Sequence, residues 1–165
     1  MKEYIEQLVE ALRQELQQYG EMLARLDLQQ ELVVRRASDQ LLDSVSQIEF
    51  QGVAIQDARR NREYCRRALA QAVGLAGEAT FAEIIPRLPV DYRPLVGALV
   101  EENNALIHRV QQRSRQNHML LTRTMELMQR LLGSLFPSTG TTTYSGSGTM
   151  LGATLAPRAL YEAVG

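Results

Sequence analysis

A strict alternation of three- and four-residue steps between apolar side chains limits the folds open to this chain more than any other feature. Near the start, Ile5, Val9, Leu12, Leu16, Tyr19, Leu23 and Leu26 follow one another at steps of 4, 3, 4, 3, 4 and 3. Those steps average 3.5 residues and keep all seven side chains on one stripe of a helix, the seam of a left-handed coil or bundle. No Pro interrupts the run, and a helix is expected over about residues 2–30. Gly20 lies inside it at a cost of about 1 kcal/mol relative to Ala, and a close helix approach is expected there.

A second helix is expected over about 34–73, with Leu41, Leu42, Val45, Ile48, Ile55, Ala58, Cys65, Leu69 and Ala72 as its stripe. Its start is open: Ser38 and Asp39 can cap it, or it begins at Leu32 and runs through them. Gly52 falls on the seam and reads as another close contact. Gly74 reads as the stop. The connector from Leu75 to Pro94 holds Thr80 and Glu83 at capping-box spacing, followed by Phe81, Ile84 and Ile85, so a short helix is expected at about 81–85. Pro86 and Pro89 end it.

The third long helix is expected over about 91–135, with Asp91 as N-cap and Pro94 in the first turn. Its seam runs Val96, Leu99, Asn103, Leu106, Val110, Arg113, Asn117, Leu120, Thr124, Leu127 and Leu131, again in steps of 3 and 4. The fold class is therefore all-α: three long helices in an elongated antiparallel bundle or coiled coil over residues 1–136, joined by the short helical connector. Residues 137–165 change character. Ser138 to Gly148 reads STGTTTYSGSG without a charge, so a flexible arm is expected. Beyond it apolar residues return at Met150, Leu151, Leu155, Leu160, Tyr161 and Val164. Such a segment either docks on its own bundle or meets a partner.

Composition supports a core of Leu, Val, Ile, Ala and Met, since aromatics make up 5% and Trp is absent. Net charge is −1 overall, but −5 over residues 1–50 and +4 over 51–165. That split reads as complementarity between packed helices. A nucleic-acid surface needs Arg interleaved with aromatics, and the Arg-rich stretches offer isolated Tyr. The single Cys65 has no internal disulfide partner and sits on an apolar stripe, as a small buried hydrophobe; a reactive thiol is the alternative. Two Glu within the first six residues argue against a signal peptide. No run reaches 18 apolar residues, so no membrane insertion is expected, and the protein is expected in the cytoplasm.

Catalytic patterns are missing. His108 and His118 lie ten residues apart on one helix, about 15 Å along its axis, too far to share a metal. There is no Glu-x-x-His, H-E-x-x-H, G-x-S-x-G or phosphate-binding Gly loop. An enzyme, a metal and a cofactor are not expected. Asn103 and Asn117, two heptads apart in an apolar seam, read either as register control or as contacts to a polar partner backbone.

Two long helices, a Pro-bearing connector and a third helix opening on Leu99-Val-Glu-Glu-Asn103-Asn104-Ala-Leu106-Ile107 resemble FlgN-type flagellar export chaperones. Thr143-Tyr144-Ser145-Gly146-Ser147-Gly148 and Leu8-Val9-Glu10-Ala11-Leu12…Glu15-Leu16 add to the likeness, which spans roughly residues 5–148. The resemblance implies a cytoplasmic chaperone of type III flagellar export that binds unfolded terminal segments of hook-associated (hook–filament junction) proteins. It also implies a C-terminal region that helps hold the substrate and dock at the export gate. Carried over by position, this marks Tyr144, Met150, Leu151, Leu155, Leu160 and Tyr161. The helix residues expected to face a partner are Asn103, Leu106, Asn117, Met125, Met128 and Leu135, since an amphipathic segment can complete an open helix seam and Met is adaptable. The alternative is a structural coiled-coil adaptor or dimerisation protein with no chaperone role. A homo-oligomer is compatible with either.

Overall fold

In a computed structural model, residues 1–135 are described, Leu135 by its backbone alone. Among them the fold is all-α, with no strand. Helix α1 runs Lys2–Arg35, α2 Ser38–Ala72, α3 Phe81–Ile84 and α4 Arg93–Leu135, with 3-10 turns at Ile85–Arg87 and Val90–Tyr92. The chain divides into two compact units, Met1–Met125 and Glu126–Gly165.

Helix α1 continues five residues beyond the expected end because its apolar pattern continues through Leu32, which is buried. It stops where Arg36 turns left-handed at φ 57°, letting its N–H reach the carbonyls of Leu32 and Val33. An L side chain pays roughly 1–2 kcal/mol for that conformation. Helix α2 begins at Ser38 with Ala37 as its N-cap, so neither Ser38 nor Asp39 occupies the cap position. It ends in a Schellman motif: Leu75 N–H reaches Ala70 O at 2.9 Å and Gly74 N–H reaches Gln71 O at 3.0 Å. Gly74 takes φ 77°, as a residue closing that motif must.

The connector carries the expected capping box: Glu83 Oε2 accepts from Thr80 N–H at 2.7 Å and Thr80 Oγ1 at 2.8 Å. Asp91 is not an N-cap; it lies inside the Val90–Tyr92 turn, and α4 starts after it with Pro94 in its first turn. The close approaches expected at Gly20 and Gly52 are also absent, since a Cβ at either would meet nothing within 4 Å.

The largest correction concerns α2. Leu42 is 73% exposed, and Val45 and Ala72 also face out. The inward stripe keeps Ile48, Ile55, Ala58, Cys65 and Leu69 of the expected one and adds Ser44, Gln51 and Arg62, all in 4-3 alternation. Those three are polar, which hid them from a search for apolar residues.

Two clusters form the core of the first unit. One joins Ile5, Leu8 and Leu12 of α1, Cys65 and Leu69 of α2, Ile84 and Leu88 of the connector, and Val96 and Leu99 of α4. The other gathers Tyr19, Met22, Leu26 and Ile55, with Ile48, Leu106, Ile107 and Val110 against them. Cys65 belongs to the first cluster, and burial pushes its thiol pKa up. Glu15, buried on α1, accepts from Arg62 Nε at 3.0 Å and from Tyr19 OH at 3.1 Å. Burial first, then the Glu15 charge, pushes the Tyr19 phenol up to about 12. Pairs such as Glu15–Arg62 are where the acidic start of the chain meets its basic later part.

Candidate functional site

The direction and register of α4 against α1 are set by two asparagines. Asn103 Nδ2 donates to Leu12 O at 3.0 Å, and Asn117 Nδ2 donates to Leu26 O at 2.7 Å. Both pairs are separated by 91 residues, so α4 runs parallel to α1 in one constant register. Helix α2 runs the other way: Gln51 donates to Gln18 O at 3.0 Å, while Arg62 reaches Glu15. Each asparagine also makes a second bond, to Leu99 O at 2.9 Å or to Gln29 Oε1 at 3.1 Å. Each leaves its own Oδ1 buried without a partner. Between them Arg113 Nε sits 2.6 Å from Asp27 Oδ1.

Asn103 and Asn117 are therefore not presented to a partner. They are 4% and 2% exposed and hold α4 to the α1 backbone, which corrects the expectation that they contact another protein. Leu106 is half-buried against the second core cluster. By contrast, Met125 and Met128 are 62% and 60% exposed. Leu135 lies at the end of α4, and its side chain is outside the description. Tyr144, Met150, Leu151, Leu155, Leu160 and Tyr161 lie outside the described residues.

The 91-residue offset is fixed at two points, Leu12 with Asn103 and Leu26 with Asn117, both inside the first unit. Helix α4 itself continues to Leu135 with its 3-4 alternation intact. In the second unit Leu127, Met128, Leu131 and Leu132 are all exposed, between 57% and 61%. At about 100° per residue they share one side of the helix, while Glu126, Gln129 and Arg130 take the other. Four large apolar side chains on one helical face in water are uncommon without a use. Leu127, Leu131 and Leu132 were not among the expected partner-facing residues, because a seam read from sequence looks the same whether it is covered or exposed.

No group of three His, Cys, Asp or Glu among the described residues is placed to hold a metal. The groove lined by Asp27, Gln30, Val34 and Arg113 is open and carries charged pairs. No helix among the described residues is long and apolar enough to cross a membrane.

A family model described as FlgN protein matches residues 1–152. The chain belongs to the FlgN family. That family is one of flagellar export chaperones, not of enzymes, so this FlgN-family chain has a general role in flagellar assembly. Comparison with curated proteins and with solved structures gives no match.

Proposed function

We propose that this FlgN-family chain is a cytoplasmic chaperone of type III flagellar export that holds terminal segments of hook-associated proteins in an unfolded, export-ready state. The observation that supports this reading is the exposed apolar face of Leu127, Met128, Leu131 and Leu132 on α4. Subunit ends that fold only on assembly carry an amphipathic helical pattern, and such a pattern can lie against an uncovered helix face. Two methionine side chains, Met125 and Met128, suit a surface that must accept more than one sequence. The apolar residues Met150, Leu151, Leu155, Leu160 and Tyr161, with Tyr144, are proposed to extend the same hold and to engage the export gate.

The test is calorimetric titration of the full chain with a C-terminal segment of a hook-associated protein. A 1:1 complex is expected. Leu127→Glu with Leu131→Glu removes two apolar contacts of roughly 1.5–3 kcal/mol each, so affinity is expected to fall at least a hundredfold while helicity by circular dichroism stays constant. Unchanged affinity in that double variant would sink the proposal. The adaptor reading rests on a different surface, on α2.

A further inference from the structure

Helix α2 has two apolar faces, and the fold uses one. Ser44, Ile48, Gln51 and Ile55 face inward within an arc of about 60°. Leu42, Val45, Phe50 and Val53 occupy an arc of about 140° on the opposite side, and all four are exposed, Phe50 at 75% and Val53 at 56%. Tyr64, 73% exposed, continues that outer face toward the helix end. Large apolar side chains gathered on one exposed face mark an interaction surface.

Charge says what covers it. From Ser38 to Ala58, α2 carries Asp39, Asp43, Glu49 and Asp57 and no basic residue. From Arg59 to Ala72 it carries five Arg and one Glu. On the outer face Asp39, Asp43 and Glu49 are exposed at one end, and Arg60 and Arg67 at the other. The ion pairs already made there, Arg60 with Asp57 and Arg67 with Glu63 and Glu78, lie at the solvated surface and hold little energy. A helix with an acidic half, a basic half and an apolar middle is complementary to its own copy turned end for end. A two-fold axis requires that kind of self-complementarity, because each subunit presents the same patch to the other.

We propose that the outer face of α2 is the contact by which two copies of this chain pair, antiparallel about a two-fold axis between Phe50 and Val53. The Phe50 and Val53 side chains of both copies form the apolar centre, and the acidic end of each α2 lies along the basic end of the other. The surface is separate from the α4 face assigned to substrate, so each assignment stands or falls alone. One helix per copy is a small interface, so the dimer forms at roughly micromolar concentration.

Sedimentation equilibrium on the full chain tests this with two charge-reversed variants, Asp39→Arg with Asp43→Arg and Arg60→Glu with Arg67→Glu. All four positions are exposed, so folding is preserved and circular dichroism checks it. Each variant alone is expected to dimerise at least tenfold more weakly than the natural chain. An equimolar mixture is expected to regain dimer, because one α2 then carries added basic residues at its first end and the other added acidic residues at its last, which restores opposite charges across each end of the pair. Phe50→Glu with Val53→Glu is expected to be monomeric. A natural chain that stays monomeric up to roughly millimolar concentration, or variants that dimerise as well alone as mixed, would overturn the proposal.

Discussion

At the scale of single residues, the polar side chains carry most of the specificity in this protein. Arg66, buried on α2, donates to the Ala79 carbonyl and pairs with Glu63, which ties the connector to the helix it leaves. The hydrogen bond from Arg66, more than any other cause, holds the Glu63 carboxyl below its ordinary pKa. A depressed carboxylate pKa stabilises the fold above the unfolded-state value, and that stability disappears as pH falls through the folded-state value. The melting temperature is therefore expected to drop as pH is lowered from neutrality through the acidic carboxylate range. Glu63→Gln keeps an acceptor for Arg66 but cannot titrate. Melts followed by circular dichroism should show a smaller acid-induced drop in that variant, and an identical drop would remove Glu63 from the account.

At the scale of elements, the asparagine pair separates register from stability. Asn103 makes two hydrogen bonds with its amide N–H groups while its Oδ1 stays buried and unpaired. Asn103→Leu removes that unpaired acceptor and adds apolar contact, so stability in urea is expected to hold or rise by about 1 kcal/mol. Asn103→Asp keeps the shape but turns the donor toward Leu12 O into a second acceptor, and a loss of about 2–4 kcal/mol is expected. Equal behaviour of the two variants would mean that the donor to the α1 backbone does not matter. The existence of α1 and α4 was legible from their 4-3 runs, and the Gly74 stop from residue type alone. The inward face of α2 was legible only in part: Ile48, Ile55, Ala58, Cys65 and Leu69 follow from apolar spacing, whereas Gln51 and Arg62 sit in the seam where their partners, Gln18, Arg25 and Glu15, come from another helix, and Ser44 bonds back to Leu41 O of its own helix. Nothing in α2 by itself announces those partners.

At the scale of the whole molecule, among the described residues both core clusters draw on none later than Val110. The seam after Asn117 contributes to neither. Removing residues 136–165 is therefore expected to leave the helical signal per residue and the melting temperature nearly unchanged, while weakening the hold on a hook-associated segment. Differential scanning calorimetry with the binding titration measures both, and a fall of more than a few degrees would place the removed residues in the core.

The sequence by itself determined the helices, the class, the capping box at Thr80 and Glu83, and an apolar α4 seam that continues unbroken past Asn117. Those are local or periodic properties, written in residue type and spacing. Only the tertiary structure decided which seams are covered. The two asparagines face inward against α1, and α2 turns in a stripe that mixes Ile48, Ile55, Cys65 and Leu69 with Ser44, Gln51 and Arg62, while Leu42, Phe50 and Val53 face out. Coverage depends on contacts between helices, and no single helix carries that information. The face of Leu127, Met128, Leu131 and Leu132 has the pattern of a core and the exposure of a binding surface.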